Sequence, residues 1–516
     1  MLLSAGRAQV RIPGFDFSFV PRPGAGAVPD DPALPLPDTV YASARSLAYE
    51  VERCDTVVDG TLDGLRDLYA AAPGVFMFRG SALRDARFGG RVTGCPTTVT
   101  VDWVFTTDFD RRESDYGSWG GGTGWTGRPL YVRWPDSLAG RMRALSPALT
   151  DDFSGEEIIV GSLCGKVYFI DFASGRASRL PLEADNPIKG TPSLDPRLNG
   201  LLYIGQGIPC SERFGALTFD LFDHREAAFF GRDPRALRGW NAYDSSPVVA
   251  GGFLFRPGEN GSVYKLGCDG RGVRLHSVLR YRDGRGRAPG IESSMAVYRN
   301  YGYAADNAGN IICIDLNTLR PVWVYDNHDD TDATPLLEIE RGRPVLYTAC
   351  EVDKQGDEGF SYMVKLDALT GRLLWERPVP CRKFAYAGKV REGGMFASPL
   401  AGGGDCAHLL FSNFCGASDA CEGVMIAFDK RSGEVVYRTP LDFYSWSSPV
   451  AFYNEDDRMF LLTGDVRGNV YLIEGCSGRV LFAGKIGANF ESSPVVVGDR
   501  VVVGSRGDRI YRLHVQ

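Results

Sequence analysis

The sequence contains no adjacent cysteines, no C-x-x-C and no C-x-x-C-H, so its 12 cysteines offer no zinc ribbon, thioredoxin-like motif or covalent haem site. Histidine is scarce, at 5 residues, and none of His224, His276, His328, His408 and His514 stands in a G-x-S-x-G or H-E-x-x-H context. No reaction can be assigned from them. No run reaches the roughly 18 apolar residues of a membrane-spanning helix. The start, Met1-Leu2-Leu3-Ser4-Ala5-Gly6-Arg7, lacks the basic flank and apolar centre of a signal peptide, so the chain reads as soluble and untargeted. A basic excess is missing too. The net charge is −7, and nucleic acid is not an expected partner because phosphate binding rests on clustered Lys and Arg.

What is abundant is glycine, with 63 residues, beside 11% aromatics, a pairing expected where short strands meet in tight turns. A strand-turn-strand unit recurs: Gly165-Lys166-Val167-Tyr168-Phe169-Ile170-Asp171-Phe172-Ala173-Ser174-Gly175 matches Gly309-Asn310-Ile311-Ile312-Cys313-Ile314-Asp315-Leu316-Asn317-Thr318-Leu319. Met363 to Arg372, followed by Trp375, and Met425 to Glu434, followed by Tyr437, repeat it again. The Asp opens the turn by accepting backbone N–H groups, and Gly takes the left-handed position. Strand starts near 165, 215, 261, 309, 361, 423, 468 and 507 give eight copies with a mean period of about 49 residues, the spacing of four-stranded propeller blades.

A second signature precedes the copies: Thr191-Pro192, Ser245-Ser246-Pro247, Ser293-Ser294-Met295, Ala333-Thr334-Pro335, Ala397-Ser398-Pro399, Ser447-Ser448-Pro449 and Ser492-Ser493-Pro494. Small residues suit a crowded inner strand, and Pro suits a strand's first residue. The last copy stops before its outer strand. Thr98 to Phe105 can supply it, with Trp103 in the place of Trp323 and Trp375, which would remove the open edge. The expected fold is therefore all-β: an eight-bladed β-propeller over residues 74–516, closed by an N-terminal outer strand, with a short extended and helical arm over 1–73. Helical spacing is read at Tyr41 to Arg53 and Leu62 to Ala72. Most cysteines read as buried strand thiols, and Cys415 with Cys421 could close a small loop disulfide in an oxidising compartment.

The pattern Ser-Ser-Pro, strand, Gly-x-strand-Asp-x-x-x-Gly-x-x-x-Trp, with the entry segment Val75-Phe76-Met77-Phe78-Arg79-Gly80, resembles the pyrroloquinoline-quinone-like eight-bladed propeller repeat. That resemblance implies a periplasmic or cell-envelope setting. It covers quinoprotein alcohol and glucose dehydrogenases as well as the outer-membrane assembly lipoprotein, a non-catalytic scaffold. The alcohol dehydrogenases of the group carry a vicinal disulfide, which this sequence lacks, and no lipoprotein signal precedes a cysteine near residue 1.

Insertions concentrate on one face, at residues 107–128, 206–214, 232–246, 350–361, 380–397 and 413–423, and long loops on a rigid scaffold are where function gathers. Around the axis of that face the repeat register places Trp125 and Thr126, Lys189, Asp244, Glu292, Asp332, Phe396, Trp446 and Glu491. They are the candidate ligand-binding residues, suited to a cation, an amine or a polar group stacked on Trp446. The same acids would equally serve as backbone caps. Asp326 to Asp332 is rich in oxygen ligands but lacks the Gly and Glu of an EF-hand loop, and a solvated turn is expected there.

The function expected is a binding or scaffold propeller, monomeric, without cofactor, docking an envelope protein or a small polar or glycan ligand. A dehydrogenase dependent on pyrroloquinoline quinone and calcium is the first alternative. The second is a carbohydrate-binding propeller, motivated by Trp119, Trp125 and Trp240.

Overall fold

The computed structural model describes residues 20–21, 47–54, 67–86, 88–125, 127–145, 153–268, 272–284, 286, 288–419 and 422–516. Thr126 and Cys421, and with it the expected Cys415–Cys421 pairing, lie outside the described residues, whereas Cys415 is a buried free thiol.

The chain is an eight-bladed β-propeller. Its inner strands are Leu130–Arg133, Ser193–Leu194, Val248–Ala250, Ala296–Tyr298, Leu336–Glu340, Leu400–Ala401, Val450–Tyr453 and Val495–Val497. In a typical blade three further antiparallel strands follow outward, as in Tyr301–Ala305, Asn310–Asp315 and Arg320–Asp326. The last blade closes as expected. Val99–Thr106 pairs antiparallel with Arg509–Val515, setting Phe105 opposite Ile510 and Val101 opposite Leu513.

The small residues of the inner strands do more than save space. The N–H of Ser246 donates to Ser294 Oγ at 2.9 Å, Ser294 to Thr334 Oγ1 at 2.8 Å, Thr334 to Ser398 Oγ at 3.1 Å, Ser398 to Ser448 Oγ at 3.0 Å and Ser448 to Ser493 Oγ at 3.0 Å. Arg128 N–H reaches Thr191 Oγ1 at 3.0 Å in the same manner. A belt of hydrogen bonds thus runs from blade to blade around the axis.

At the rim, aromatic side chains of outer strands dock on the next blade's turn. The indole N–H groups of Trp103, Trp323 and Trp375 donate to the carbonyls of Phe172, Ala368 and Lys430 at 3.0, 3.0 and 2.9 Å. Gly371 and Gly433 hold φ of +71° and +74°, and a Cβ there would lie 2.7 and 2.8 Å from the Trp323 and Trp375 rings, so glycine is required on both counts. A β-bulge recurs beside these aromatics, at Cys313/Ile314, Lys365/Leu366 and Arg512/Leu513.

The entry segment fills the axis. Phe76 O accepts from Leu194 N–H at 2.8 Å, Ala82 O from Val297 N–H at 2.7 Å and Leu83 O from Leu337 N–H at 2.9 Å. Arg79 donates to the carbonyls of Pro449 at 2.9 Å and Ser398 at 3.2 Å, and Arg84 to those of Met295 at 2.9 Å and Ser246 at 2.7 Å. The nine residues from Phe76 to Arg84 reach six blades, which is feasible only at the centre of the ring. Burial pulls the Arg84 guanidinium down to about 9, against a weaker opposing pull from Tyr69 and Asp67.

The arm departs from expectation. Leu47–Arg53 is a strand, paired antiparallel with Val273–Asp283 from Leu47 opposite Asp283 to Arg53 opposite Ser277. An unpaired blade edge offers backbone partners that a seven-residue helix does not, and Leu47 and Val51 pack on the core while Glu50 and Glu52 meet Arg235 and Arg280. Leu68–Ala71 is a single 3₁₀ turn capped by Asp67, and the rest of 55–66 lies outside the described residues. An unforeseen α-helix, Asp136–Leu145, follows the first inner strand.

Two substitutions test these contacts. Trp323→Ala, at a side chain only 2% exposed, is expected to lower unfolding free energy by about 3–5 kcal/mol. Ser398→Ala, which orphans the buried Thr334 N–H, is expected to lower it by about 1–3 kcal/mol. Urea denaturation of both variants measures this, and a Ser398→Ala midpoint equal to that of the wild type would remove the belt's energetic role.

Candidate functional site

The mouth of the axis is lined by residues that enter the inner strands and by residues that leave the second strands. Lys189 forms an ion pair with Asp244 and lies 3.5 Å from Glu292, with its ammonium 6.0 Å from the Trp125 ring centre. Asp332 faces Glu292, Asp330 and Glu351. Five of the eight candidate residues, Trp125, Lys189, Asp244, Glu292 and Asp332, therefore share one half of the funnel.

Phe396 and Trp446 make the other half, with ring centres 5.2 Å apart at 34°. Tyr444 lies 5.5 Å from Trp446, and the Arg391 guanidinium lies 5.6 Å from the same ring. Glu491 stands apart from both groups, accepting from Asn489 at 3.1 Å and pairing with Arg506 at 3.4 Å.

Three acids of the funnel were not among the sequence candidates. Glu259 is 3% exposed, accepts from the Trp240 indole at 2.8 Å through Oε2 and has no partner for Oε1. Glu351 is 4% exposed and its Oε1 is also unpartnered. Asp330 pairs with Lys354 at 3.0 Å. A signal for Glu259 exists in the repeat. The residue leaving the second strand is Asp306 or Asp465 in other blades, where it accepts the turn's own N–H groups, at 2.9–3.0 Å from Ala308 and Asn310 and at 2.9 and 3.0 Å from Arg467 and Asn469. The longer Glu259 leaves that duty and reaches the funnel.

The acids form two triplets, Asp244 with Glu259 and Glu292, and Asp330 with Asp332 and Glu351, each with its ligand oxygens within 4.8 Å of one another. Six carboxylates thus face two lysines, Lys189 and Lys354. Burial, and then neighbouring acids, hold Glu259, Asp332 and Glu351 well above the usual carboxylate range, and burial pushes Asp330 up to about 7. Burial draws the Lys189 ammonium down, but Asp244, Glu292 and Glu259 outweigh it and hold the group well above its ordinary value.

The donor set fits a hard cation, for which clustered carboxylate oxygens are the usual ligands. It fits pyrroloquinoline quinone poorly. That quinone is a tricarboxylate and the funnel gathers six acids, and Phe396 covers one side of Trp446 where a planar ring would stack. The sugar-binding tryptophans are likewise engaged: Trp125 is 8% exposed, Trp240 packs on Tyr116 at 4.8 Å and on Phe214 at 5.8 Å, and Trp119 lies under Arg506 at 5.2 Å.

The acidic loop is not a solvated turn. Asp329 is 1% exposed and accepts N–H groups from Asp353 and Lys354 at 3.0 and 2.9 Å, which fastens the 350–361 loop beside the funnel. Within the insertions, Asp110–Ser114 pairs with Gly117–Gly120 and Phe384–Tyr386 with Lys389–Arg391, so two of the expected loops are hairpins.

Fold and repeat together define an eight-bladed β-propeller, similar in repeat and architecture to pyrroloquinoline-quinone-like propellers. Residues 421–516 match the family described as outer membrane protein assembly factor BamB. The outer membrane protein assembly factor BamB of Kangiella koreensis is 28% identical over 154 residues, 30% of this chain and 31% of that protein, so the match spans about a third of the relative's length. A europium-containing methanol dehydrogenase shares the fold at a TM-score of 0.60 and 12% identity, covering 86% of this chain and 98% of that one. The quinohemoprotein alcohol dehydrogenase from Comamonas testosteroni does so at 0.58 and 12% identity, covering 87% and 82%. No helix among the described residues is long and apolar enough to cross a membrane.

The buried acids make stability depend on pH with a definite sign. Their folded-state pKa values lie above the unfolded ones, so the folded protein binds more protons and stability falls as pH rises from about 4, for Asp330 through about 7. Glu351→Gln, which replaces an acid by a neutral amide, is expected to flatten that fall and to raise stability at pH 8 by about 1–3 kcal/mol. Urea midpoints at pH 5 and pH 8 check this, and an unchanged pH dependence in the variant would refute it.

Proposed function

We propose that the protein is a non-catalytic binding propeller of the cell envelope, whose loop-rich face takes a cationic group of a partner protein into the axial funnel. The observation that carries this reading is the imbalance of six carboxylates against two lysines, with the aromatic wall of Phe396, Tyr444 and Trp446 opposite. A guanidinium or ammonium would displace the protons of Asp332 and Glu351 and pair with their carboxylates. The match of the last two blades to an outer membrane protein assembly factor supports an envelope protein as the partner. The described ring over residues 74–516 would be the binding unit.

A dehydrogenase using calcium and a quinone is the second reading, favoured by one observation, the size of the two carboxylate triplets. In that case the triplets would hold the metal, and Lys189 would keep Asp244 oriented toward the axis.

Thermal unfolding with an arginine-rich peptide, with Ca²⁺ alone and with quinone plus Ca²⁺ separates the readings. The peptide is expected to stabilise the protein, by about 2.7 kcal/mol at 100 times its dissociation constant. Asp332→Asn combined with Glu351→Gln should weaken its binding at least tenfold. Stabilisation by the quinone with Ca²⁺, accompanied by alcohol-dependent dye reduction, would instead establish the enzyme. No response to the peptide would end the binding proposal in this form.

A further inference from the structure

Away from the funnel, the joint between the blade of Leu409–Leu441 and the blade of Val450–Lys485 carries chemistry that no other joint has among the described residues. Its aromatic clasp is a tyrosine. Tyr437 Oη donates to Gly475 O at 2.6 Å, where the joints at Trp103, Trp323 and Trp375 use indoles. Beside it, Cys406, in the 3₁₀ turn Gly404–Cys406, has its Sγ 2.7 Å from Sγ of Cys476. Cys476 occupies the turn Glu474-Gly475-Cys476-Ser477-Gly478, where equivalent turns carry Arg431, Leu369 and Ala173. A Cβ on Gly475 would lie 2.9 Å from Cys406 Sγ, so the glycine leaves room for the sulfur.

We propose that Cys406 and Cys476 form a disulfide that staples these two blades. Sulfurs bound to one tetrahedral zinc stand about 3.8 Å apart, given Zn–S bonds of about 2.3 Å, so the contact is too short for a shared metal. It needs only about 0.7 Å of closure to reach bonding distance. The access is asymmetric in a useful way: Cys476 is exposed and Cys406 is buried. The Cys476 thiolate attacks a sulfur of a low-molecular-weight disulfide and expels one thiolate. Cys406, deprotonated in turn, attacks the Cys476 sulfur and expels the second. Two protein thiols lose two electrons and two protons, and the external disulfide is reduced to two thiols. Asp405 adjoins the pair: its Oδ1 accepts from Cys406 Sγ at 3.3 Å, which favours the protonated thiol, and from Met459 N–H at 2.9 Å, which holds the turn across the joint. Burial raises both thiols above their usual range, so formation is slow at neutral pH and faster at alkaline pH.

The full chain, equilibrated in glutathione and glutathione disulfide, acid-quenched, alkylated and mapped by mass spectrometry, tests this. The expected result is one linked peptide pair containing Cys406 and Cys476, lighter by two hydrogens than the two thiol peptides together. The oxidised protein should also melt above the reduced protein, and Cys476→Ser, a change at an exposed position, should abolish that redox dependence. Separate alkylation of both residues in the oxidising buffer would overturn the proposal. So would a glutathione adduct persisting on Cys476, or stoichiometric zinc protecting both thiols from alkylation.

Discussion

The hydrogen-bond belt at the axis is the contact on which the rest of the ring depends. Six of the eight inner strands enter the centre through a residue whose N–H would be orphaned by the narrowing of the ring, and the hydroxyl of the next blade accepts it. Any side chain larger than Ser or Thr would push the strands apart, and Ala would leave the N–H without a partner in a water-free place. The belt fixes both the spacing and the angle of the blades, and the plug of Phe76 to Asp85 can touch six of them only because that spacing is held.

The rim repeats the logic with different atoms. An indole fills the gap between blades that diverge outward, and its N–H finds a carbonyl of the neighbouring turn, so apolar area and a polar partner are supplied by one residue. Where both occur, belt and clasp act at the two ends of a blade. Between them the contacts are mostly interchangeable apolar packing, which is why repeats with little common sequence build equal blades.

Much of this was legible in the residues. Asp-x-x-x-Gly marked the turns, the Ser-Ser-Pro pairs marked the inner strands, and Trp103 identified the outer strand that closes the ring, because each of these is imposed locally by backbone geometry. The arm was misread for the opposite reason. Leu47–Arg53 takes its conformation from the free edge of Val273–Asp283, a partner more than two hundred residues away that no local spacing reports. In the funnel, the repeat register located Lys189, Asp244, Glu292 and Asp332. It could not locate Glu259 and Glu351, which reach the axis from the outgoing side of their blades, nor separate Glu491, whose neighbour Arg506 comes from a different strand.

Buried carboxylates in such number are costly, and a deformable protein would relax by swinging them into solvent. Here they cannot turn away. Asp244 and Asp332 stand two residues before the belt residues Ser246 and Thr334, Glu259 is held by the Trp240 indole, and Asp329 ties down the loop beside Asp330. The rigidity set at the centre of the ring thus keeps these acids gathered at its mouth, where burial holds protons on several of them. A cationic group entering the funnel finds its partners already oriented, and its arrival displaces protons rather than ordering a loop. That inverts the usual cost of binding, in which side chains must be immobilised as the ligand arrives.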